Sequence, residues 1–253
     1  MTSPTSSSDL SRREQIAHGL AEVEAQIADA CRAAGRDRSE VALIAVTKTY
    51  PASDVRILAS LGVRDVGENR DQEAAGKARE CAGLPLTWHF VGQLQTNKVR
   101  SVASYADYVH SVDRSRLVTA LSREAERAQR VIGCLLQIDL DENPGSAPRP
   151  GAARDEQARG GVRPADALDL AALVAGAEGL RLAGVMAVAP LGAEPGKAFA
   201  RLAEVARAVR AEHPGATMVS AGMSGDLSEA VAHGATHVRV GTALLGRRKP
   251  FVR

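Results

Sequence analysis

The fold is decided by the stretch Val41-Ala-Leu-Ile-Ala-Val-Thr-Lys48, which Thr49-Tyr50-Pro51 follows. The unbroken apolar run from Val41 to Val46 predicts a strand that is buried on both faces, as in the parallel sheets of α/β proteins. Lys48 stands at the exit of this strand, where we expect poor solvation. Burial lowers the pKa of a lysine and makes its amine nucleophilic, as a Schiff base requires. The alternative is a lysine that extends from the strand end into solvent.

Further apolar runs follow, separated by alanine-rich amphipathic segments, and an amphipathic helix from Asp9 to Ala34 precedes them all. The predicted strands are Val41 to Thr47, Asp65 to Gly67, Leu86 to Val91, Tyr108 to Val112, Ile132 to Leu140, Leu182 to Val188, Thr217 to Ser220 and His237 to Val240. The intervening helices are predicted to begin near Ser53, Arg70, Lys98, Arg114, Pro164, Gly196 and Ser224.

Alternating strands and helices of this number, in a chain of 253 residues, predict a single α/β domain: a (β/α)8 TIM barrel with an extra N-terminal helix. A doubly wound open sheet is the alternative, but no glycine-rich phosphate fingerprint follows the first strand. We expect the domain to span residues 9–253, after a disordered Ser- and Thr-rich tail at 1–8. Residues 142–164, rich in Pro and Gly, predict a flexible loop after the fifth strand.

The bulk composition excludes several classes of function. A net charge of +2 gives no electrostatic case for binding nucleic acid or a membrane surface. Three scattered cysteines form no disulfide framework, and the histidines lack the spacing of metal ligands. Without a signal peptide or a long apolar run, the chain is expected to be cytoplasmic.

The ends of the last two strands carry the pattern of a phosphate site. Barrels often bind phosphate with the loops after strands seven and eight, and here these loops read Gly222-Met-Ser224-Gly-Asp226 and Gly241-Thr242. Glycines let backbone amides approach an anion, and hydroxyls add donors. Ordinary capped turns are the alternative. Arg239, on the last strand, is either an inward-facing donor or an outward partner of a helix carboxylate.

A lysine after strand one and a phosphate site at strands seven and eight face one barrel mouth. Together they fit pyridoxal 5'-phosphate, with its aldehyde at Lys48 and its phosphate at the two loops. Class I aldolase-like enzymes, which form Schiff bases with phosphorylated sugars, are the alternative that the residues leave open.

A set of motifs in chain order resembles the pyridoxal phosphate homeostasis proteins, the YggS/PROSC family, whose fold is the alanine racemase-like barrel (fold type III) without the C-terminal domain. The motifs are Ala45-Val-Thr-Lys-Thr-Tyr-Pro51, Gly67-Glu-Asn69, Trp88-His-Phe-Val-Gly-Gln-Leu-Gln-Thr-Asn-Lys98, His110-Ser-Val-Asp113, Gly184-Val-Met-Ala-Val-Ala-Pro190, Ser220-Ala-Gly-Met-Ser-Gly-Asp226 and Val238-Arg-Val-Gly-Thr-Ala-Leu-Leu-Gly246.

The resemblance implies that Lys48 forms the internal aldimine, a Schiff base, with the cofactor. It implies Ser224, Gly241 and Thr242 near the phosphate, Arg239 facing the pyridine nitrogen, and Asn69 and Ser220 close by. Two features depart from the family pattern. Arg70 stands where many members carry tyrosine, and the 142–164 loop is longer than usual.

The expected function is a non-catalytic carrier for intracellular vitamin B6 homeostasis, which buffers pyridoxal phosphate or delivers it to apoenzymes. An arginine beside the ring nitrogen makes the cofactor a weak electron sink, and the resemblance implies no second domain to supply an opposite acid or base. For the same reason a monomer is expected. A single-domain amino acid racemase is the alternative.

Overall fold

The computed structural model describes residues 11–141 and 160–246. Within them, parallel strands close into a barrel in chain order, and the last strand pairs back to the first. The predicted barrel is therefore confirmed, because a doubly wound sheet would stay open. The strands are β1 (Ala42–Val46), β2 (Asp65–Glu68), β3 (Thr87–Phe90), β4 (Tyr108–Val112), β5 (Ile132–Gln137), β6 (Leu180–Met186), β7 (Met218–Ser220) and β8 (His237–Val240).

Helices pack around the outside of the barrel and bury their apolar stripes against it. They are α1 (Arg12–Ala33), α2 (Ala52–Ser60), α3 (Asp71–Glu80), α4 (Val99–Ala103), α5 (Ser115–Arg127), α6 (Ala167–Ala175), α7 (Pro195–Glu212), α8 (Leu227–Ala232) and α9 (Thr242–Leu245). Short 3-10 turns at Arg38–Glu40, Thr96–Lys98 and Pro164–Asp166 complete the connections.

The N-terminal helix is confirmed, with a later start than the predicted Asp9. Ser11 caps it: the Ser11 side chain accepts from the Glu14 amide, and the Glu14 carboxylate accepts from the Ser11 amide. These two reciprocal bonds satisfy backbone amides at the start of the helix that have no intrahelical partner. The helix α1 therefore begins at Arg12. Its apolar stripe lies buried mainly against α8 and α9.

The region after the fifth strand differs from its prediction at both ends. β5 ends at Gln137, short of the predicted Leu140, and Ile138 instead forms an isolated parallel bridge with Val162. Pro164 opens a 3-10 turn. The last part of the predicted 142–164 loop is therefore tied to the barrel. Residues 142–159 of that loop, and the predicted 1–8 tail, lie outside the described residues.

Two helices after the last strands were misjudged from the sequence. α8 begins at Leu227, later than the predicted Ser224, because Asp226 first closes a turn by accepting from the Met223 amide at 2.6 Å. α9 was not predicted at all. It has only four residues, which is too short for a periodic apolar pattern to be visible.

Gly184 marks an irregular point in the middle of β6. The register between β5 and β6 shifts there, and Gly184 has φ of 152°, a conformation that side chains rarely adopt. A β-carbon at this position would overlap the Met218 carbonyl of the neighbouring strand. The barrel wall therefore requires glycine here for both conformational and steric reasons.

We predict that Gly184→Ala lowers the free energy of unfolding by about 3–5 kcal/mol, from backbone strain and overpacking combined. Gly62→Ala is the matched control, since Gly62 has φ of 93° but nothing within 4 Å of its would-be β-carbon. The control should lose only about 1 kcal/mol. Urea denaturation measures both, and equal losses would contradict the steric argument.

Candidate functional site

Lys48 lies in the turn that follows β1, at the C-terminal mouth of the barrel. Its side chain is exposed, so the expectation of a poorly solvated amine was wrong, and the alternative of a lysine that extends into solvent is confirmed. The physical reason is local: the buried residue at this strand exit is Thr47, one position earlier. Lys48 is therefore an accessible amine at the mouth, in a segment whose backbone is fixed on both sides.

The residue before Lys48 is held by a buried ion pair. Lys77 Nζ, on α3, lies 2.7 Å from Glu68 Oε1 and donates to the Thr47 carbonyl at 2.6 Å. The Thr47 hydroxyl donates to the same Glu68 oxygen at 2.6 Å. Burial raises the pKa of Glu68, and the bonds from Lys77 and Thr47 oppose that rise. A pair buried this deeply resists rearrangement, because breaking it would leave an uncompensated charge.

The residue after Lys48 is held in an uncommon backbone conformation. Thr49 has φ of 68°, which is unfavourable for a β-branched residue, and its amide donates to Glu73 Oε2 at 2.9 Å. Strain of this kind persists only where the surroundings impose it, and it concentrates at functional sites. The strained backbone of Thr49 and the contacts of Thr47 together hold the backbone of Lys48 in one conformation.

The end of β8 lies directly beside the end of β1. Ala45 pairs with Val240, and a β-carbon on Gly241 would lie 3.1 Å from the Val46 carbonyl. Thr242 opens α9 and is exposed. Since the first amides of a helix have no intrahelical partner, Gly241 and Thr242 present amides and a hydroxyl next to the Lys48 turn.

The end of β7 adds a second turn with exposed polar groups. Gly222 has φ of 89°, and a β-carbon there would lie 2.7 Å from Ala230. Ser224 follows and is exposed. The Met223 amide donates to the Asp226 carboxylate and the Asp226 amide donates to the Met223 carbonyl, so the turn offers the amides of Ser224 and Gly225.

Arg239 points into the barrel, as one of its two interpretations predicted. It is 6% exposed. Its Nη1 donates to Ser220 Oγ at 2.6 Å and its Nη2 to the Ala187 carbonyl at 2.9 Å. Both partners are neutral, so the charge is not cancelled by a contacting carboxylate. Burial lowers the pKa of Arg239 to about 10, and Asp226 opposes this shift, so the guanidinium stays charged at neutral pH.

The remaining predicted site residues are divided between the interior and the rim. Ser220 is fully buried beside Arg239. Asn69 is exposed after β2, packed so closely on Gly92 that a β-carbon at position 92 would overlap it. The structure thus brings Lys48, Gly241, Thr242, Ser224 and Arg239 to one sector of the mouth, with Asn69 on the neighbouring strand end.

Sequence reasoning missed the residues that position Lys48. Lys77 and Glu73 lie on α3, where a lysine and a glutamate look like ordinary solvated residues. One available signal was Glu68, a carboxylate that directly follows a predicted strand and therefore needs a buried partner.

The amine and the hydrogen-bond donors in this sector of the barrel mouth fit the chemical groups of pyridoxal phosphate. It combines an accessible amine, glycine turns in which a β-carbon at Gly222 or Gly241 would crowd its neighbours, two exposed hydroxyls, and a buried cation with neutral partners. Residues 11–141 and 160–246 contain no cluster of His, Cys, Asp and Glu that could hold a metal ion. In the same ranges, no helix is both long and apolar enough to cross a membrane.

Comparisons with known proteins give the family. The family model "Alanine racemase, N-terminal domain" matches residues 20–249. The pyridoxal phosphate homeostasis protein of Mycobacterium tuberculosis is 43% identical, over 94% of this chain and 95% of the relative. The structure of PipY from Synechococcus elongatus, with PLP bound, is 35% identical, with a TM-score of 0.75 over 91% of this chain and all of that one.

The alanine racemase of Corynebacterium glutamicum shares only the fold. It is 15% identical with a TM-score of 0.66, over 95% of this chain and 62% of that chain. The family match, the relative and the shared barrel agree. The chain therefore belongs to the pyridoxal phosphate homeostasis protein family, and its barrel is an alanine racemase N-terminal domain.

Proposed function

We propose that this protein binds pyridoxal 5'-phosphate through a Schiff base at Lys48 and acts in its homeostasis, buffering or delivering it. The observation that carries the proposal is the meeting of an accessible lysine, two glycine turns and a buried arginine at the adjoining ends of β7, β8 and β1. The bound structure of PipY and the name of the Mycobacterium tuberculosis relative support it.

Each group has a distinct role in this proposal. Lys48 supplies the amine that condenses with the aldehyde, a reactive carbonyl that the tether keeps from other amines. Ser224, Gly241 and Thr242 bind the phosphate with hydroxyls and amides. Arg239 donates to the ring nitrogen, and Asn69 lines the rim. When bound, the cofactor supplies an electron sink, which an arginine at the ring nitrogen keeps weak.

A weak electron sink favours a carrier over an enzyme. Protonation of the ring nitrogen is disfavoured when a permanent cation faces it, since like charges oppose each other. We therefore propose a non-catalytic, cytoplasmic, monomeric carrier whose partners are the cofactor and pyridoxal phosphate-dependent apoenzymes. The open rim around Lys48 suits release.

We expect Lys48→Ala to abolish the absorption change that accompanies condensation of the cofactor aldehyde with an amine. Lys98→Ala is the matched control, because Lys98 lies in the turn after β3 at the same end of the barrel. The measurement is a visible-light titration with pyridoxal phosphate. A normal titration in Lys48→Ala would contradict the proposal.

We expect the double variant Ser224→Ala with Thr242→Ala to weaken cofactor retention by about 3–6 kcal/mol, since a hydrogen bond to a charged group contributes about 1.5–3 kcal/mol. The control is Thr119→Ala with Ser122→Ala, which removes two exposed hydroxyls from α5. Equilibrium dialysis against free cofactor measures retention. If both double variants retain the cofactor equally, the phosphate lies elsewhere.

The alternative of a racemase makes a separate prediction. Solvent exchange at the α-carbon of L-alanine in D2O reports carbanion chemistry even when net racemisation is slow. With concentrated cofactor-loaded protein we expect no deuterium incorporation above a Lys48→Ala sample, by mass spectrometry. Incorporation that disappears in Lys48→Ala would replace the carrier by an enzyme.

A further inference from the structure

A chain of hydrogen bonds crosses the barrel interior and ends at the arginine of the proposed site. His89 Nε2 lies 2.9 Å from Asp65 Oδ1, and His89 Nδ1 lies 2.9 Å from His110 Nε2. His110 Nδ1 lies 3.1 Å from Ser220 Oγ, the atom that accepts from Arg239. The five members come from β2, β3, β4, β7 and β8. The chain therefore links the N-terminal end of the barrel to its mouth.

The two ends of the chain favour one direction for the bonds between them. Arg239 has only donors, and the carboxylate of Asp65 accepts from His89. In the order that gives every group a partner, Ser220 donates its hydroxyl proton to His110 Nδ1, and His110 donates from Nε2 to His89 Nδ1. His89 then donates from Nε2 to Asp65. This order places a proton on Nε2 of each histidine and leaves each Nδ1 as an acceptor.

The surroundings favour the same neutral state. Burial, and then repulsion from His89, Arg239 and His237 whenever these groups are charged, lower the pKa of His110 well below its ordinary value. His237, whose ring centroid lies 6.5 Å from that of His89, has a pKa lowered to about 4, first by burial and then by His89, with Asp65 opposing. Near neutral pH these groups add no positive charge beside Arg239.

The histidine rings are also fixed in place. The ring of Tyr108 stacks on that of His89, with centroids 4.8 Å apart and planes 5° from parallel. The Tyr108 hydroxyl accepts from Arg181 Nη2 at 3.1 Å. The stacked ring keeps His89 Nδ1 beside His110 Nε2, so the contact that leads on to Ser220 is held in place.

An extra proton would break this order. A charged His89 would carry N–H groups on both nitrogens, so its Nδ1 would face the Nε2 donor of His110. If His110 moved its proton to Nδ1, Ser220 would receive donors from both His110 and Arg239 and lose the acceptor of its own hydroxyl. Only the order with a proton on Nε2 of each histidine satisfies every donor and acceptor within the chain.

We propose that Asp65, His89, His110 and Ser220 are positioning residues that hold the Arg239 guanidinium in one orientation for the cofactor ring. The proposal rests on the proposed function for its ligand, but the order of the chain exists in the free protein. Two of the Arg239 donors are bound by Ser220 and Ala187. That arrangement stops the guanidinium from rotating and directs its remaining N–H groups.

The test is His89→Phe, which keeps a flat ring against Tyr108 and removes both nitrogens from the chain. No hydrogen bond joins His89 to Arg239, and the bonded route between them runs through His110 and Ser220. His213→Phe is the matched control, because His213 caps the C-terminus of α7 outside the chain. Asp65→Ala, at the partly exposed far end, is the second variant should His89→Phe fail to fold.

The first measurement is nitrogen NMR of the free protein. In the wild type we expect His110 protonated on Nε2 alone, and separate Arg239 Nη signals because rotation is hindered. In His89→Phe and Asp65→Ala the Arg239 signals should merge, while His213→Phe should keep the wild-type pattern. A charged or Nδ1-protonated His110 in the wild type, or unchanged Arg239 signals in both chain variants, would overturn the proposal.

The second measurement is the dissociation constant of pyridoxal phosphate. We expect it to rise about tenfold in the chain variants, the effect of about one lost hydrogen bond, and to stay within about twofold in His213→Phe. An unchanged constant in both chain variants would refute the positioning role even if Lys48 binds the cofactor. If instead the wild type does not condense with the cofactor, the proposed function fails, while the NMR result still decides the chain.

Discussion

The pairing of β8 with β1 is the constraint on which the candidate site depends. It closes the sheet, and its parallel register sets Ala45 level with Val240. Lys48 and Gly241, which come from opposite ends of the chain, must then leave the barrel side by side. The adjoining β7 brings the Gly222 turn to the same sector. A lysine and two glycine turns thus become neighbours through backbone hydrogen bonds alone, before any side chain contributes.

The buried charged residues inside the barrel have two different kinds of partner. Lys77 and Glu68 neutralise each other at contact distance and stabilise the backbone that carries Lys48. Arg239 has no contacting carboxylate. A chain of hydrogen bonds through Ser220 and the two histidines links it to Asp65. A buried ion pair makes the surrounding structure rigid. A buried cation with neutral partners can still donate a hydrogen bond to an acceptor on a ligand. Lys77 and Glu68 thus support the backbone of the candidate site, whereas Arg239 is the residue proposed to face the ligand.

The sequence predicted the fold well, because buried parallel strands are continuous apolar runs whatever their neighbours. It also predicted that Arg239 points inward, as one of two interpretations. It misjudged the solvation of Lys48, because the side chain that a strand end buries depends on the exact residue at which the strand stops. The chain from Asp65 to Arg239 was invisible for a different reason. Its members are isolated polar residues on five strands, and only barrel closure shows that they touch.

The central claim is that barrel closure makes Lys48 the attachment point of pyridoxal phosphate. The chain has five lysines, of which Lys77 is buried in its ion pair, so chemical trapping can distinguish them. Borohydride reduction of the cofactor-loaded protein, followed by peptide mass spectrometry, locates the lysine that carries the reduced cofactor. The account predicts the label on the peptide that contains Lys48. A label on Lys98, Lys197 or Lys249, with Lys48 unmodified, would contradict it.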